Sequence, residues 1–225
     1  MNNNLVTALL LNWKRPQNII QTIKSIKEQS VEVDIWLWNN NPEDKTVYDV
    51  KYQFNSPNNF VCWPRWLMGS LVNTPYIFTL DDDVKLEDKD VIKDCICYCN
   101  NNFNDLIIGF TGVILNKDLN YPKSKHILQP QDKDIIVDIV KGRFMFMKSS
   151  LLNNISLEKS DSCEDIKISS YSNNKIIPSI LKNRFKNLSE GKEALCAQSE
   201  HNKNRLLATY KYFKQMHHYN ENIKD

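Results

Sequence analysis

The feature that most constrains this chain is a short apolar run that ends abruptly in three carboxylates. Residues Tyr76–Leu80 read YIFTL, and Asp81, Asp82 and Asp83 follow at once. A run so rich in β-branched and aromatic residues predicts a buried strand of a parallel sheet, because such strands are covered on both faces. In open α/β sheets, ligands bind just beyond the carboxyl ends of the strands. The sequence therefore predicts an α/β fold with a functional site at this acidic turn.

The acidic turn offers the donor atoms of a divalent metal site. Asp81 and Asp83 lie on the same side of an extended backbone, where their like charges repel unless protons or a cation intervene. Mg²⁺ and Mn²⁺ take one or two protein carboxylates and complete their coordination with water and substrate phosphates. We expect Asp83 and Asp81 to be metal ligands, with Asp82 beside them in the cofactor site. The alternative is a solvated acidic turn that opens a helix, because the charged residues 87–90 follow.

Composition limits the classes of function. The chain has 225 residues and is 41% hydrophobic, which fits one globular domain with a full core. Its 29 basic and 27 acidic residues give a formal net charge of +2 without a dense basic block, so nucleic-acid binding is not indicated. We see no signal-peptide pattern and no apolar span long enough for a transmembrane segment. Six unevenly spread cysteines fit free thiols, so we expect a cytoplasmic protein without disulfides.

The predicted elements begin as βαβ units and become more mixed. The first helix carries Ile19, Ile20, Ile23 and Ile26 on one stripe, which predicts packing against the sheet. Apolar runs on both sides of Gly142 predict a hairpin of residues 135–140 with 143–147. The other predicted strands are 5–11, 33–38, 76–80, 106–115 and 176–178. The predicted helices are 17–29, a short one ending at 72, 91–99, one that starts at the acidic cluster 161–166 and runs towards 171, and a long one from 199 onwards.

Two polar strand ends are candidates for binding a nucleotide base. Arg15 follows the first strand and precedes the helix-starting Pro16, and Asn39 opens a polar turn after the second strand. Asparagine is abundant in this chain, so a plain turn role is the alternative for Asn39. No glycine-rich phosphate cradle occurs in the sequence. A nucleotide would therefore be held by side chains at strand ends and by a metal.

Five charged residues elsewhere are further candidates, and each has a structural alternative. Arg65, flanked by two tryptophans, either pairs with a phosphate or stacks on the rings. Glu164 and Asp165 open an amphipathic helix, where a carboxylate can serve a reaction or only favour the helix dipole. His201 and Arg205 lie four residues apart on one helix face, where they can grip phosphate oxygens or belong to an exposed surface.

Taken together, these segments resemble glycosyltransferases of the GT-A fold, and within that fold the exostosin-like transferases. The likeness covers nearly the whole chain, but the family's first acid before the catalytic carboxylate is Glu164 here, the loop 116–134 is unmatched, and the secretory stem is missing. The matching segments, in chain order, are Lys14-Arg15, Trp38-Asn39-Asn40, Arg65, Asp81-Asp82-Asp83, Glu164-Asp165, and His201 with Arg205.

The resemblance implies a nucleotide-diphospho-sugar transferase fold, which is a Rossmann-like sandwich with a mainly parallel central sheet and helices on both faces. It implies a single domain over residues 1–225, with a nucleotide-binding part at about 1–100 and an acceptor-binding part at about 101–225. The implied cofactors are Mn²⁺ or Mg²⁺ and a nucleotide-sugar donor, with UDP favoured and GDP left open. The implied partner is a glycan or glycoprotein acceptor.

The resemblance also implies roles for the site residues. Asp165, or Glu164 beside it, would be the catalytic carboxylate, and Arg65, His201 and Arg205 would surround the diphosphate. Whether the reaction inverts or retains the anomeric configuration stays open. A compact, asparagine-rich enzyme without a stem also resembles the transferases with which large DNA viruses decorate capsid proteins, which would place it in the host cytoplasm.

Two other classes compete with this interpretation. A phosphatase of the haloacid dehalogenase type also has an apolar strand ending in Asp-x-Asp-x-Val, with Asp81 as nucleophile and Asp83 as acid. That motif usually ends the first strand of its domain and needs a distal Gly-Asp pair, which this sequence lacks. The other alternative is a non-catalytic module of the same fold that binds a sugar nucleotide or a partner.

Overall fold

A computed structural model describes residues 4–156, 163–189 and 200–221. The strands within these ranges are β1 Val6–Asn12, β2 Val33–Asn39, β3 Tyr52–Asn55, β4 Tyr76–Leu80, β5 Val84–Leu86, β6 Ile107–Gly109, β7 Gly112–Ile114, β8 Lys125–Ile127, β9 Ile135–Ile136, β10 Ile139–Val140, β11 Phe144–Lys148, β12 Lys175–Ile177 and β13 Phe185–Asn187. The α-helices are α1 Pro16–Lys27, α2 Pro64–Gly69, α3 Val91–Asn100, α4 Glu164–Ser170 and α5 His201–Glu221. Short 3₁₀ helices occur at Tyr121–Lys123, Ser149–Asn154 and Ser179–Leu181.

The main structural element is an eight-stranded sheet in the order β3-β2-β1-β4-β11-β6-β12-β9. Strands β3, β2, β1 and β4 run parallel to one another, and β11 inserts antiparallel between β4 and β6. The register aligns Asn12 of β1 with Asn39 of β2, and Leu10 of β1 with Leu80 of β4. Three parallel strands therefore end at the same edge of the sheet, where β11 begins.

Helices cover both faces of this sheet, as the sequence predicts. In β4, Phe78 belongs to the apolar core shared with α1 and α3, whereas its neighbour Ile77 belongs to the core shared with α2 and α4. This alternation follows from the two-residue period of a strand. Because both faces are buried, the central strands are apolar throughout, which is why they were recognisable in the sequence.

Helix α1 shows how local sequence directs the packing. Pro16 occupies the first turn, where its missing N–H costs no hydrogen bond. Ile19, Ile23 and Ile26 are buried against the sheet, whereas Ile20 is 46% exposed. The prediction that Ile20 shares their stripe is wrong, because it lies about 100° around the helix from Ile19.

The second half of the chain departs from the predicted hairpin. Residues 135–140 and 143–147 do not pair with each other: β10 pairs with β7, β9 pairs with β12, and β11 enters the main sheet beside β4. Strand β11 is buried on both faces up to Met147, which suits a central strand better than a hairpin arm.

A small sheet, β10-β7-β8, supports the second half of the chain. Its residues Val113 and Ile139 share an apolar core with Tyr121, with Ile166 of α4 and with Phe213 of α5. The two helices that carry the candidate residues of this half are therefore fixed to the small sheet by apolar packing.

No helix in the described ranges is long and apolar enough to span a membrane. None of the five described cysteines forms a disulfide bond, and Cys196 lies outside the described residues.

Candidate functional site

The candidate site lies at the edge where the parallel strands end. The amide N–H of Asp81, the first residue after β4, donates to the carbonyl oxygen of Arg143, the residue before β11, at 3.0 Å. Because β11 is antiparallel to β4, the start of β11 meets the end of β4. The acidic turn is thereby placed beside the segment Lys141-Gly142-Arg143.

Each carboxylate of the acidic turn contacts an arginine. Arg65 Nη1 lies 2.9 Å from Asp81 Oδ1, and Arg15 Nη1 lies 2.7 Å from Asp82 Oδ1. The third carboxylate, that of Asp83, accepts from Arg143 Nη2 at 3.2 Å. The three like charges of the acidic turn, for which the sequence alone shows no partners, are thus balanced by guanidinium groups.

The structural alternative for the acidic turn is wrong. The turn connects β4 to β5 rather than opening a helix, and α3 begins only at Val91. The side chains of Asp82 and Asp83 are only 12% and 13% exposed, so they are not a solvated cluster. Buried charges in proteins are paired, and these two carboxylates are paired with Arg15 and Arg143.

Burial affects the protonation of this turn. It raises the pKa of Asp82 to about 7, against the attraction of Arg15 and with help from the neighbouring charges of Asp81 and Asp83. Burial and the charge of Asp81 likewise raise the pKa of Asp83, although Arg143 opposes the shift. A further cation in the turn would lower the pKa of both carboxyl groups, because it would favour their ionised forms.

The donor set of the turn fits a hard divalent cation, because carboxylate oxygens are the ligands that Mg²⁺ and Mn²⁺ prefer. Within the described ranges, no group of three His, Cys, Asp or Glu side chains is arranged to hold a metal ion by itself. Asp83 and Asp81 are the residues that would contribute to such a site. A metal at Asp83 would have to share its oxygens with Arg143, or displace that arginine.

Arg65 and Gly142 connect the acidic turn to the acidic pair on α4. Arg65 is 2% exposed, and its Nη1 donates to both Asp81 Oδ1 and the carbonyl oxygen of Gly142, at 2.9 and 3.0 Å. Its Nη2 lies 3.9 Å from Glu164 Oε1. The N–H of Gly142 donates to Asp165 Oδ2 at 3.1 Å. Arg65 is thus paired with carboxylates, and its pairing with a phosphate stays a prediction.

Asp165 and Glu164 are neighbours in different electrostatic environments. Asp165 accepts from Arg205 Nη2 at 2.8 Å, from Gly142 N–H, and from the N–H of Ile166 at 2.8 Å. Burial opposes its charge, but Arg205 and these hydrogen bonds hold the pKa of Asp165 below its usual range. Burial raises the pKa of Glu164 to about 7, because Arg65 is too distant to offset it.

Arg205 and His201 lie on the first turns of α5, on the side of Asp165. The guanidinium of Arg205 stacks on the ring of Tyr121, 4.5 Å from its centroid, and is 6% exposed as a residue. Burial and the charge of Arg205 lower the pKa of His201. The exposed-surface alternative is therefore wrong for Arg205, which contacts Asp165 rather than the acidic turn.

The predicted base contacts differ in how they are held. Arg15 contacts Asp82 beside the acidic turn. Asn39 is 1% exposed, and its side chain bonds to Asn12, to Asn55 and to the carbonyl oxygen of Asp44. The structure thus places Asn39 in a buried network at the strand ends, and its contact with a base stays a prediction.

Sequence reasoning missed three residues of this site. The sequence predicts Arg143 as the first residue of a hairpin strand, Gly142 as part of the hairpin turn, and Tyr121 as part of an unmatched loop. Their positions depend on β11 crossing into the main sheet and on the loop folding back under α5. One signal was available: a Gly-Arg pair directly before a run of apolar residues reads equally well as the polar entry to a central strand.

Comparisons with known proteins agree on the fold. No protein-family model and no curated protein matches the chain. Among solved structures, S. aureus TarS 1–349 in complex with UDP-GlcNAc superposes with a TM-score of 0.64 at 14% identity, over 86% of this chain and 61% of that one. S. aureus TarS 1–349 crystallised without a named ligand gives 0.61 at 12% identity, over 93% and 73%. The mannosyltransferase PcManGT from Pyrobaculum calidifontis, in complex with GDP-Man and Mn²⁺, gives 0.52 at 11% identity, over 77% and 54%.

These similarities establish the fold class. The chain has a GT-A type fold, with a large, mainly parallel central sheet between layers of helices. It spans about 61% of the length of the TarS chain that carries UDP-GlcNAc.

Proposed function

We propose that this protein is a metal-dependent glycosyltransferase that moves a sugar from a nucleotide-diphosphate donor to a hydroxyl group of a glycan or glycoprotein. The observation that carries the proposal is the hydrogen-bonded path from the acidic turn to the acidic pair of α4. It runs from Asp81 through Arg65 and Gly142 to Asp165. A nucleotide-sugar bound at the acidic turn would thus lie in the same hydrogen-bonded network as the carboxylate of Asp165.

The donor half of this proposal rests on Asp81, Asp83 and the arginines around them. Asp83 and Asp81 would hold Mn²⁺ or Mg²⁺, which supplies positive charge to the departing diphosphate when bound. Arg15 and Arg143 have buried Nε atoms without a hydrogen-bond partner among the described residues. Guanidinium groups with spare donors fit phosphate oxygens, so we assign both arginines to the diphosphate. The base would lie near Arg15 and Asn39, at the strand ends.

The acceptor half rests on Glu164 and Asp165. The bond from the anomeric carbon to the diphosphate oxygen breaks, a bond to the acceptor oxygen forms, and the acceptor proton goes to a carboxylate. Glu164 suits that role because its raised pKa, about 7, is close to the optimum for a general base. Asp165 stays ionised beside Arg205 and fixes the position of Gly142 and of α4. If a carboxylate instead stabilises the glycosyl cation, the configuration is retained, so the product anomer distinguishes the two routes.

UDP is the favoured carrier, with GDP as the alternative. In support of this choice, the TarS complexes contain UDP-GlcNAc or UDP, whereas PcManGT holds GDP-Man with Mn²⁺. The narrower likeness to exostosin-like transferases, the viral source, the cytoplasmic location and the role of His201 at the diphosphate stay predictions from the sequence.

A thermal-shift panel of UDP, GDP, CDP and ADP, each with Mn²⁺, tests the proposal. A ligand that binds only the folded state raises the free energy of unfolding by about 2.7 kcal/mol at a hundredfold excess over Kd. The melting temperature rises with it. We expect UDP to give the largest shift, and Arg15→Met to reduce it. Stabilisation by none of them, together with hydrolysis of a chromogenic phosphate ester, would favour the phosphatase class instead.

A further inference from the structure

A group of basic side chains lies around Arg205, which donates to Asp165, and it is separate from Arg15 and Arg143, the two arginines that we assign to the donor diphosphate. We call Lys141, His126, His201 and Arg205 the basic cluster. Its members come from the acceptor-side half of the chain, whereas the acidic turn has Arg15, Arg65 and Arg143 around it.

The contacts of His126 fix the position of Lys141. His126 Nε2 lies 3.0 Å from the carbonyl oxygen of Tyr121, which can only accept, so this nitrogen carries the proton. Nδ1 then accepts from the ammonium of Lys141, 3.3 Å away. The ring of Tyr121 meets His126 edge-on at 5.1 Å and supports Arg205 on its face at 4.5 Å. The basic cluster is therefore built around one aromatic ring.

Asp165 attracts two cationic side chains of the basic cluster, those of Lys141 and Arg205. Burial, followed by repulsion from Arg205, lowers the pKa of Lys141 and also that of His201. Arg205 commits Nη2 to Asp165, while its Nε is buried without a hydrogen-bond partner among the described residues. An ammonium and a guanidinium thus lie beside the proposed catalytic pair.

We propose that the basic cluster binds a phosphate-type anion carried by the acceptor substrate. A tetrahedral phosphate accepts several hydrogen bonds at once, and an ammonium and a guanidinium converging beside an aromatic ring match that need. The inference rests on the proposed function, in which Arg15 and Arg143 at the acidic turn bind the donor diphosphate, so that a second phosphate site belongs to the acceptor. An acceptor with a phosphate at this position would be oriented with its hydroxyl towards Glu164.

The test is a titration of inorganic phosphate into the full chain, followed by calorimetry at constant ionic strength set with chloride. The titration is done on protein alone and on protein saturated with UDP and Mg²⁺. We expect phosphate to bind the UDP-loaded protein, and Lys141→Met to weaken that binding by about tenfold or more, the scale of one charge-assisted hydrogen bond. Lys141→Arg should restore most of it.

Lys182→Met is the matched control, because Lys182 is paired with Asp132 at an exposed position outside the site. It should leave phosphate binding unchanged. A second variant, His126→Gln, should also weaken phosphate binding, since His126 positions the ammonium of Lys141.

Three results would overturn the inference. The first is displacement of phosphate by UDP, which would assign the basic cluster to the donor. The second is equal phosphate affinity in wild type and Lys141→Met. The third is absence of phosphate binding to the UDP-loaded protein. UDP binding in the same series tests the proposed function separately. Lys141-dependent phosphate binding without any nucleotide binding would remove the transferase proposal and leave the anion site in place.

Discussion

Arg143 Nη2 lies 3.2 Å from Asp83 Oδ1, across 60 positions of the chain. The same nitrogen lies 3.1 Å from Asn187 Oδ1, so the guanidinium is held between strand ends that are distant in sequence. A carboxylate oxygen engaged by a guanidinium has fewer lone pairs left for a metal ion. If Asp83 is the metal ligand that we propose, a divalent cation would have to compete with Arg143 for this carboxylate until a diphosphate offered the guanidinium other acceptors.

The first prediction follows from this competition. Arg143→Met should raise the affinity for Mn²⁺ in the absence of nucleotide, by roughly fivefold for about 1 kcal/mol of lost competition. The same substitution should lower the affinity for UDP in the presence of Mn²⁺ by about tenfold, because a phosphate ligand is lost. Calorimetric titrations of both ligands measure the two effects.

The opposite signs separate this role from a structural one. Arg184→Met is the matched control, because Arg184 is 24% exposed beside Asp94 while Arg143 is 25% exposed beside Asp83. It should change neither affinity. A loss of both affinities in Arg143→Met would show that the arginine only supports the fold.

The second prediction concerns the metal ligand itself. Asp83→Ala should abolish the gain in Mn²⁺ affinity that UDP would produce, because the carboxylate that we propose as a metal ligand is removed. Asp94→Ala, which removes a carboxylate paired with Arg184 away from the turn, is the control. Calorimetry of Mn²⁺ with and without UDP measures the coupling. Equal behaviour of Asp83→Ala and wild type would refute the assignment of Asp83 as a ligand.

Most of the fold was predictable because buried strands leave a direct signal. The apolar runs of β1 and β4, and the isoleucine stripe of α1, reflect burial on the two faces of one sheet. The partner of β11 was not predictable, because an apolar run shows that a strand is buried without showing which strand lies beside it. The same limit produced the wrong hairpin of residues 135–140 with 143–147.

The candidate site was predictable only where residues follow a strand end. Asp81, Asp82, Asp83 and Arg15 do so, and the structure brings them together. The contact of Arg65 with Asp81 was not predictable from the sequence, since it depends on the packing of α2. Nor could the sequence distinguish Glu164 from Asp165, because their difference arises from Arg205, which lies 40 positions away from Asp165.

The third prediction concerns stability and pH. Burial raises the pKa of Glu164 in the folded protein to about 7, above its usual value of 4.5, so the folded state binds more protons between these pH values. Stability from this group is full below about pH 4.5 and is lost as pH rises through 7, a change on the order of 3 kcal/mol. Glu164→Gln should therefore gain stability relative to wild type between pH 5 and pH 8, as measured by urea denaturation.

Asp165→Asn provides a contrast of opposite sign. Because the pKa of Asp165 is lowered, its contribution is present above the unfolded pKa and is lost as pH falls through the folded one. The Asn variant should therefore be less stable than wild type at pH 7, with a smaller deficit at low pH. If this variant does not fold, Asp165→Asn combined with Arg205→Met removes the unpaired buried cation. For Glu164, parallel profiles of stability against pH in Glu164→Gln and wild type would contradict the raised pKa of its carboxyl group.

The last prediction separates the two carboxylates by their effect on transfer. A general base must be ionised, so the rate of sugar transfer in the wild type should rise with pH through about 7, the pKa of Glu164. Glu164→Gln should reduce transfer by about 10² or more and lose that rise, while binding of UDP with Mn²⁺ is kept. Asp165→Asn should also lower transfer, because Gly142 and α4 lose their anchor, but the rise near pH 7 should remain. Glu164→Asp should recover part of the rate, which a purely structural role of the side chain does not predict. If the rise of the rate with pH persists in Glu164→Gln and disappears in Asp165→Asn, Asp165 is the base. NMR analysis of the product anomer would then establish whether the reaction inverts or retains the anomeric configuration.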